Sequence, residues 1–542
     1  RNPTSGRIEK LDRFEIRVEG FKARNARTAQ RNFAANSVLA TGKWYRIGVT
    51  NTGVVKLSES FLKTTAGIDL STVDPRNIRI YGNGFGMLPF ENSKNHFDDL
   101  KEYAIQVQGE GDGVFDAADY VLFYAQSPHV WRYDTLTQAY KHEFHKYSDT
   151  TYYFINTDLG PGKRISAQAS AVQSPTHTVN NFDDYLFHEE DKENLIKSGR
   201  EWFGEKFDII NSYSFSFNFQ NIDVTTPVKV KTNLISREGV TNNYLVNIQS
   251  LPQSTSVTMA VPSVPVNSYY SDYAAFKETT ATLTPGSSNI TVTVSKQSAA
   301  AIGWLNFIEV NARRQLKFQQ GQQLQFRDIT SVGSGNVAQY MMTGLTGNTV
   351  VWDVSDPENV KLQQGNVNGS LFDFTLPADS LKQFVAFDGL AFSNVTFAGE
   401  VANQDLHGLG AIDYIIVAHS NFLNNANELA QIHQQQDGLR TVVVTPQQVY
   451  NEFSSGMQDV TAIRDFMKMF YDRATNSADM PKYLLLYGDA SYDFKYRIPG
   501  NTNYVPSFQN LNSLAPTESY VSDEYFGLLD DTEGKWDDQG DV

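Results

Sequence analysis

The chain has 542 residues, 40% of them hydrophobic and 13% aromatic, with a formal net charge of −16 and no cysteine. That length exceeds a single core and predicts about three domains. The charge argues against nucleic acid or anionic lipid as a main partner, and the lack of cysteine excludes disulfides, thiolate metal sites and a cysteine nucleophile within these residues. No run approaches the ~20 apolar residues of a membrane span. The chain opens RNPTSGRIEK with no leader, as expected of a mature form or a fragment.

Residues 1–40 are polar and basic, with only Phe14, Ile16 and Val18 alternating, and read as an extended N-terminal arm. Residues 41–180 read as a β-rich domain. Tyr45, Ile47 and Val49 alternate, Asn51-Thr52-Gly53 turns, and Val55 and Leu57 return. The glycines of YGNGFG do not join a strand to a long helix, so they do not form a nucleotide loop. QGEGDGVFDAAD places Glu110, Asp112, Gly113 and Asp119 on the calcium-loop template, but Gln108 breaks it at the first position; a tight acidic turn is the plainer reading. His142 and His145 have i, i+3 spacing, yet no third ligand is near, so two exposed histidines on a polar strand are expected rather than a zinc site. Residues 181–210 form a connector whose SGREWFGE is compact and aromatic; Trp202 reads as core packing rather than a stacking platform. In residues 211–397, Tyr213, Phe215, Phe217 and Phe219 alternate, as do Ile290, Val292 and Val294. Short strands without helical periodicity predict a β-sandwich or jelly roll acting as brace or binding surface.

Residues 411–542 change character. Ile412 to Val417 is a continuous apolar run, the mark of a strand buried on both faces. Phe422, Ala426, Leu429, Ala430 and His433 make a helical stripe stopped by Gly438. Thr441 to Val444 is a second strand, Val460 to Tyr471 a second helix with Asp459 as N-cap, and Tyr483 to Tyr487 a third strand ending in Gly488-Asp489. This order predicts a doubly wound parallel sheet whose working end lies beyond the carboxyl ends of its strands. Further on, Asp523, Asp530, Asp531, Glu533, Asp537, Asp538 and Asp541 crowd together. Such carboxylates repel unless solvated or neutralised by a cation.

The run from DYIIVAHSNFL through NEFSSGMQDVTAIRDFMKMFYDRA to YLLLYGDASYDFK resembles the opening of the gingipain-type cysteine peptidase domain. NEFSSGMQDVTAIRDFMK and SDEYFGLLDDTEG are similar to the cell-surface sortases of the type IX secretion system, and SGREWFGE and ATGKWYRIGVTNTGVVKL extend the likeness over nearly the whole chain. The resemblance implies β-rich N-terminal domains followed by the first half of a caspase/gingipain-like parallel-sheet domain. It implies a calcium site at Asp489, Asp530, Glu533, Lys535 and Asp537, with Asp530 and Lys535 acting through backbone carbonyls. It implies a sortase that removes a carboxyl-terminal signal domain from secreted cargo and hands the cargo to a surface anchor such as anionic lipopolysaccharide. The expected partner is a PorV-like outer-membrane barrel, and the expected location the cell surface. Family members use a cysteine and the histidine of a Gly-His-Gly segment; this sequence has neither. His419 and His433 do not match the family base, so these residues cannot form the nucleophile–base pair. An endopeptidase without transferase action and a non-catalytic scaffold remain the alternatives.

Overall fold

The structure, a computed structural model, describes residues 31–534 apart from Phe85, Phe97 and Tyr269. The arm residues Phe14, Ile16 and Val18, and Lys535 and Asp537 of the expected calcium site, lie outside the described residues.

The first unit is two facing sheets. Trp44–Val49 belongs to a five-stranded sheet with Thr396–Val401, Thr151–Asn156, Arg79–Gly82 and Lys101–Tyr103. Gly53–Ser58 belongs to a three-stranded sheet with Tyr120–Ala125 and Gln106–Gln108. The sequence read these first two strands as going out and returning around one turn; the chain instead crosses from one sheet to the other there. Their inward residues, among them Ile47, Leu57, Ile80, Phe123 and Ile155, share one core. Thr396–Val401 comes back from far down the chain to pair antiparallel with Trp44–Val49, with an irregularity between Arg46 and Ile47.

Residues 181–315 form a sandwich. Asn181–Glu189, Ile302–Gln315, Val228–Arg237 and Ala275–Leu283 make one sheet; Ser212–Asn218, Asn289–Lys296, Asn242–Ser250 and Gln253–Val261 make the other. The alternation read at Ile290, Val292 and Val294 points these residues inward, and all three are fully buried. A second sandwich draws strands from 166–179 and 324–387 around Phe326, Phe384, Tyr340 and Phe374. One sandwich over 211–397 was expected; two exist, and the first takes in the connector strand 181–189.

The last segment builds the doubly wound sheet. Strand β1 (Tyr414–Ala418) lies between β2 (Thr441–Val444) and β3 (Tyr483–Tyr487), all parallel. Its side chains alternate between two cores. Ile415 and Val417 face helices α2 (Pro446–Phe453) and α3 (Val460–Arg473), against Val449, Ile463, Phe466 and Phe470. Ile416 and Ala418 face helix α1 (Leu423–Gln436), against Ala426 and Ala430. A strand covered on both faces must be apolar throughout, which is why this run stood out in the sequence. Asp459 caps α3 by accepting from the Thr461 amide, and Gly438 ends the α1 turn at φ +66°. Helix α2 was not foreseen. Its signal was present: Thr445 and Gln448 form a capping box, with Pro446 at the first helical position.

Residues 31–40, expected as part of an extended arm, lie across this segment. Arg31 pairs with Asp465 at 3.3 Å, and the Ser37 amide donates to Asp405 at 2.7 Å.

Candidate active-site cleft and acidic loop

Asp413 fixes the amino ends of the strands. Its carboxylate takes Arg440 Nε at 2.8 Å and Lys482 at 2.9 Å, and these bonds, above all those from Arg440, hold its pKa well below the usual carboxylate range. The carboxyl ends open into a cleft of about 500 Å³. His419 follows β1, Thr445 follows β2, and the loop after β3 contributes Lys495 and Tyr504. The first unit supplies the facing wall through Tyr147, Asp149 and Tyr152. Lys495 binds the two parts together: Nζ sits 3.0 Å from Asp149 and 3.0 Å from Asp191, and 4.2 Å from the centre of the Phe144 ring. Arg497 adds a 2.7 Å contact to Asp149. Lys495 and Asp191 are each only 5% exposed, so their charges are held by each other rather than by water.

His419 accepts from the Asn421 amide through Nδ1 at 3.3 Å and packs on Tyr504, its ring centre 4.6 Å away. With Nδ1 used as an acceptor, the neutral ring carries its proton on Nε2. His433 pairs with Asp437 on α1 at 2.6 Å. Neither ring has a thiol to activate, since the sequence contains none.

Asp489 stands at the end of β3 with its carboxylate exposed. It accepts from Thr502 Oγ1 at 2.8 Å and from the Ala490 amide at 3.1 Å. Asp530 and Glu533 lie on a loop stitched to α3 and to the first unit. Tyr471 donates to the Asp530 carboxylate at 2.6 Å, Lys468 meets Asp531 at 2.8 Å, and the Asp530 amide donates to Glu533 at 2.9 Å. The Asp530 carbonyl, expected to face a cation, accepts from Asn92 Nδ2 at 2.8 Å and from the Glu533 amide at 3.0 Å. Among the described residues, Asp489, Asp530 and Glu533 join no cluster of three ligating side chains. Oxygen atoms of the right hardness are present, but protein donors engage them. The roles of Asn92, Lys468 and Tyr471 at this loop could not be read from the sequence, because the contacts that give them meaning span separations of roughly 60 to 440 residues.

The other sequence candidates resolve as structural. Glu110 pairs with Arg164 at 2.9 Å, Asp112 accepts from the Val114 amide at 3.0 Å, and Asp119 accepts from the Asp116 amide at 2.9 Å, which makes a tight acidic turn. His142 and His145, expected to be exposed, are buried. His142 bridges Glu189 at 2.6 Å and Glu309 at 2.7 Å, while His145 Nδ1 accepts from the Tyr147 and Ser148 amides. The sandwich covers this hairpin, which a polar strand pattern cannot foretell. Trp202 is 6% exposed and stacks on Tyr492.

Residues 407–542 match the model of peptidase family C25. No curated protein sequence matches. Among solved structures, dimeric latent PorU from Porphyromonas gingivalis is similar at a TM-score of 0.79 and 26% identity, over 92% of this chain and 47% of that one. The chain thus spans about half the length of that relative. TmCBM61 with β-1,4-galactotriose and CBM35 from Cellvibrio japonicus Abf62 align at TM-scores of 0.16 and 0.14, with 13% identity each, over 24% and 23% of this chain and 90% and 92% of theirs; scores that low bear on neither fold nor function. The mostly β architecture, the parallel sheet at its end and the long alignment agree: this is a PorU-like chain, and its residues 407–542 carry the match to peptidase family C25.

Proposed function

We propose that the chain is the amino-terminal part of a cell-surface cysteine peptidase that serves as a sortase of the type IX secretion system. The protein would remove the carboxyl-terminal signal domain of secreted cargo and transfer the cargo to a surface anchor such as anionic lipopolysaccharide. The observation that carries this reading is the similarity to PorU over 92% of the chain. In such chemistry a thiolate attacks the scissile carbonyl, amides hold the oxyanion, and an amine replaces water in the second step. The thiolate would come from residues outside this sequence, which has no cysteine. This part supplies the first strands of the sheet, the cleft wall from the first unit, and β units that dock a PorV-like outer-membrane barrel. Among the described residues no helix is long and apolar enough to cross a membrane.

The test is intact-mass analysis of the protein from its native source with a thiol-reactive label. One labelled cysteine on a longer polypeptide that contains this chain, or on a co-purifying fragment, supports the peptidase reading. Absence of any label leaves a non-catalytic scaffold. Transfer of cargo to an added amine, against hydrolysis alone, separates a sortase from an endopeptidase.

Calcium at the acidic loop belongs to the same proposal, supported by the resemblance and by the loop's carboxylates. Loading would require the Asp530 carbonyl to give up Asn92. The expected outcome is a rise in Tm with added calcium that Glu533→Gln abolishes; an unchanged Tm removes the metal.

A further inference from the structure

A cavity of about 1070 Å³ lies where the first unit, the first sandwich and the peptidase segment meet. It shares no lining residue with the cleft above the sheet. Four polar side chains in its walls have hydrogen-bonding capacity left over. Asn83, 3% exposed, donates through Nδ2 to the Glu452 carbonyl at 3.4 Å, while its Oδ1 accepts nothing among the described residues. The Asn306 amide, 7% exposed, and the Glu201 carboxylate have no hydrogen-bond partner among the described residues. Lys146 has one acceptor, Glu189 at 3.3 Å, for three N–H groups.

Asn83 and Asn306 are buried, while Glu201 and Lys146 are half-buried; polar groups that line a cavity are ordinarily satisfied by the protein, by water or by something bound. The surroundings narrow what that is. A saccharide would be expected to stack on an aromatic face, but each phenylalanine here already has a ring face engaged. Phe144 carries His129 at 4.1 Å and Lys495 at 4.2 Å, Phe90 carries Arg200 at 4.6 Å, and Phe307 carries Lys231 at 5.2 Å. A free cation is not called for either. Burial raises the Glu201 pKa, and Lys146 and Arg200 already act on that carboxylate in the opposite sense. The remaining need is for neutral donors opposite Glu201 and Asn83, an acceptor opposite Lys146, and a group offering both opposite Asn306. A polypeptide backbone offers one N–H and one C=O per residue, and Met87, Leu88 and Met457 line space for an apolar side chain.

We propose that this cavity binds an extended peptide segment through its main-chain amides, with Glu201, Asn83, Asn306 and Lys146 as the recognising groups. The proposal requires no catalysis, so its test reads binding alone and is independent of whether the protein proves to be a peptidase.

The probe is the capped tripeptide acetyl-Ala-Leu-Ala-methylamide, followed by saturation-transfer NMR on the whole chain, with methyl glucoside as comparison. The expected result is saturable transfer to the peptide and none to the glucoside. Transfer should fall at least about fivefold in Glu201→Met and in Asn306→Ala, the loss expected for one hydrogen bond. Circular dichroism confirms that each variant is folded, and Asn306→Ala, the smaller change, decides the matter if Glu201→Met is not. Absence of transfer to the peptide, equal transfer in wild type and variants, or preference for the glucoside overturns the proposal.

Discussion

His407 is fully buried with its ring between two carboxylates, Asp98 at 2.7 Å and Glu452 at 2.6 Å, and stacked on Phe453. Three parts of the chain meet at this point, because the Ala34 amide from the arm also donates to Asp98. Burial alone would push the imidazole pKa down; the bonds to Asp98 and Glu452 outweigh it and carry it from 6.5 up to about 9. A shift of that size corresponds to about 3 kcal/mol of stability. Because the folded-state pKa is the higher one, this stability is fully present below pH 6.5 and is lost as pH rises through about 9. Asp99, held by Ser37 and Val38, has its pKa raised by burial to about 6, so its titration falls below that window. Calorimetry of wild type and His407→Gln between pH 6.5 and 10 checks the reasoning. The wild-type transition that includes the peptidase segment should fall steeply over this range, while that of the variant, lower at pH 6.5 by about 3 kcal/mol, stays flat. A gap that is constant from pH 6.5 to 10 would refute the imidazolium assignment.

Three further outcomes are expected. Lys495→Ala leaves the buried Asp191 with only the 3.6 Å contact to Arg497 and should cost about 2 kcal/mol, read as a lower urea midpoint and as faster proteolysis of the loop after β3. Gly199→Ala in SGREWFGE should destabilise by more than about 1 kcal/mol, because the glycine sits at φ +79° and an added Cβ would lie 2.3 Å from the Asn512 carbonyl oxygen; a wild-type Tm would contradict this. Thr445→Ala removes one arm of the α2 capping box and should cost about 1 kcal/mol, while Thr445→Ser, which keeps the hydroxyl, should cost little by the same thermal assay.

The peptidase sheet was legible because burial on two faces leaves a continuous apolar run, as at Ile415 to Ala418, and because α1 and α3 carry clean periodicity. The sandwiches were legible as strands but not as two bodies. Alternation at Val292 or Phe374 tells which side faces inward, not which sheet lies opposite. At the candidate site, Asp489 was placed correctly at a strand end, a position that connectivity alone dictates. The cleft wall from Tyr147 to Tyr152 could not be foreseen, since it joins residues roughly 300 positions apart whose proximity depends on how whole units pack.

The strand Thr396–Val401 sets a timetable for synthesis. The central strands of the first sheet, Trp44–Val49 and Thr151–Asn156, are available early, yet the outer partner of Trp44–Val49 emerges roughly 350 residues later. Once Thr151–Asn156 has paired, roughly 240 residues remain before that partner is made, and at about 5–20 residues per second the flank stands open for roughly 10 to 50 s while both sandwiches emerge. A bare β edge is a template for pairing with other chains, so the nascent protein is most exposed to misassembly during that interval, until the returning strand closes it.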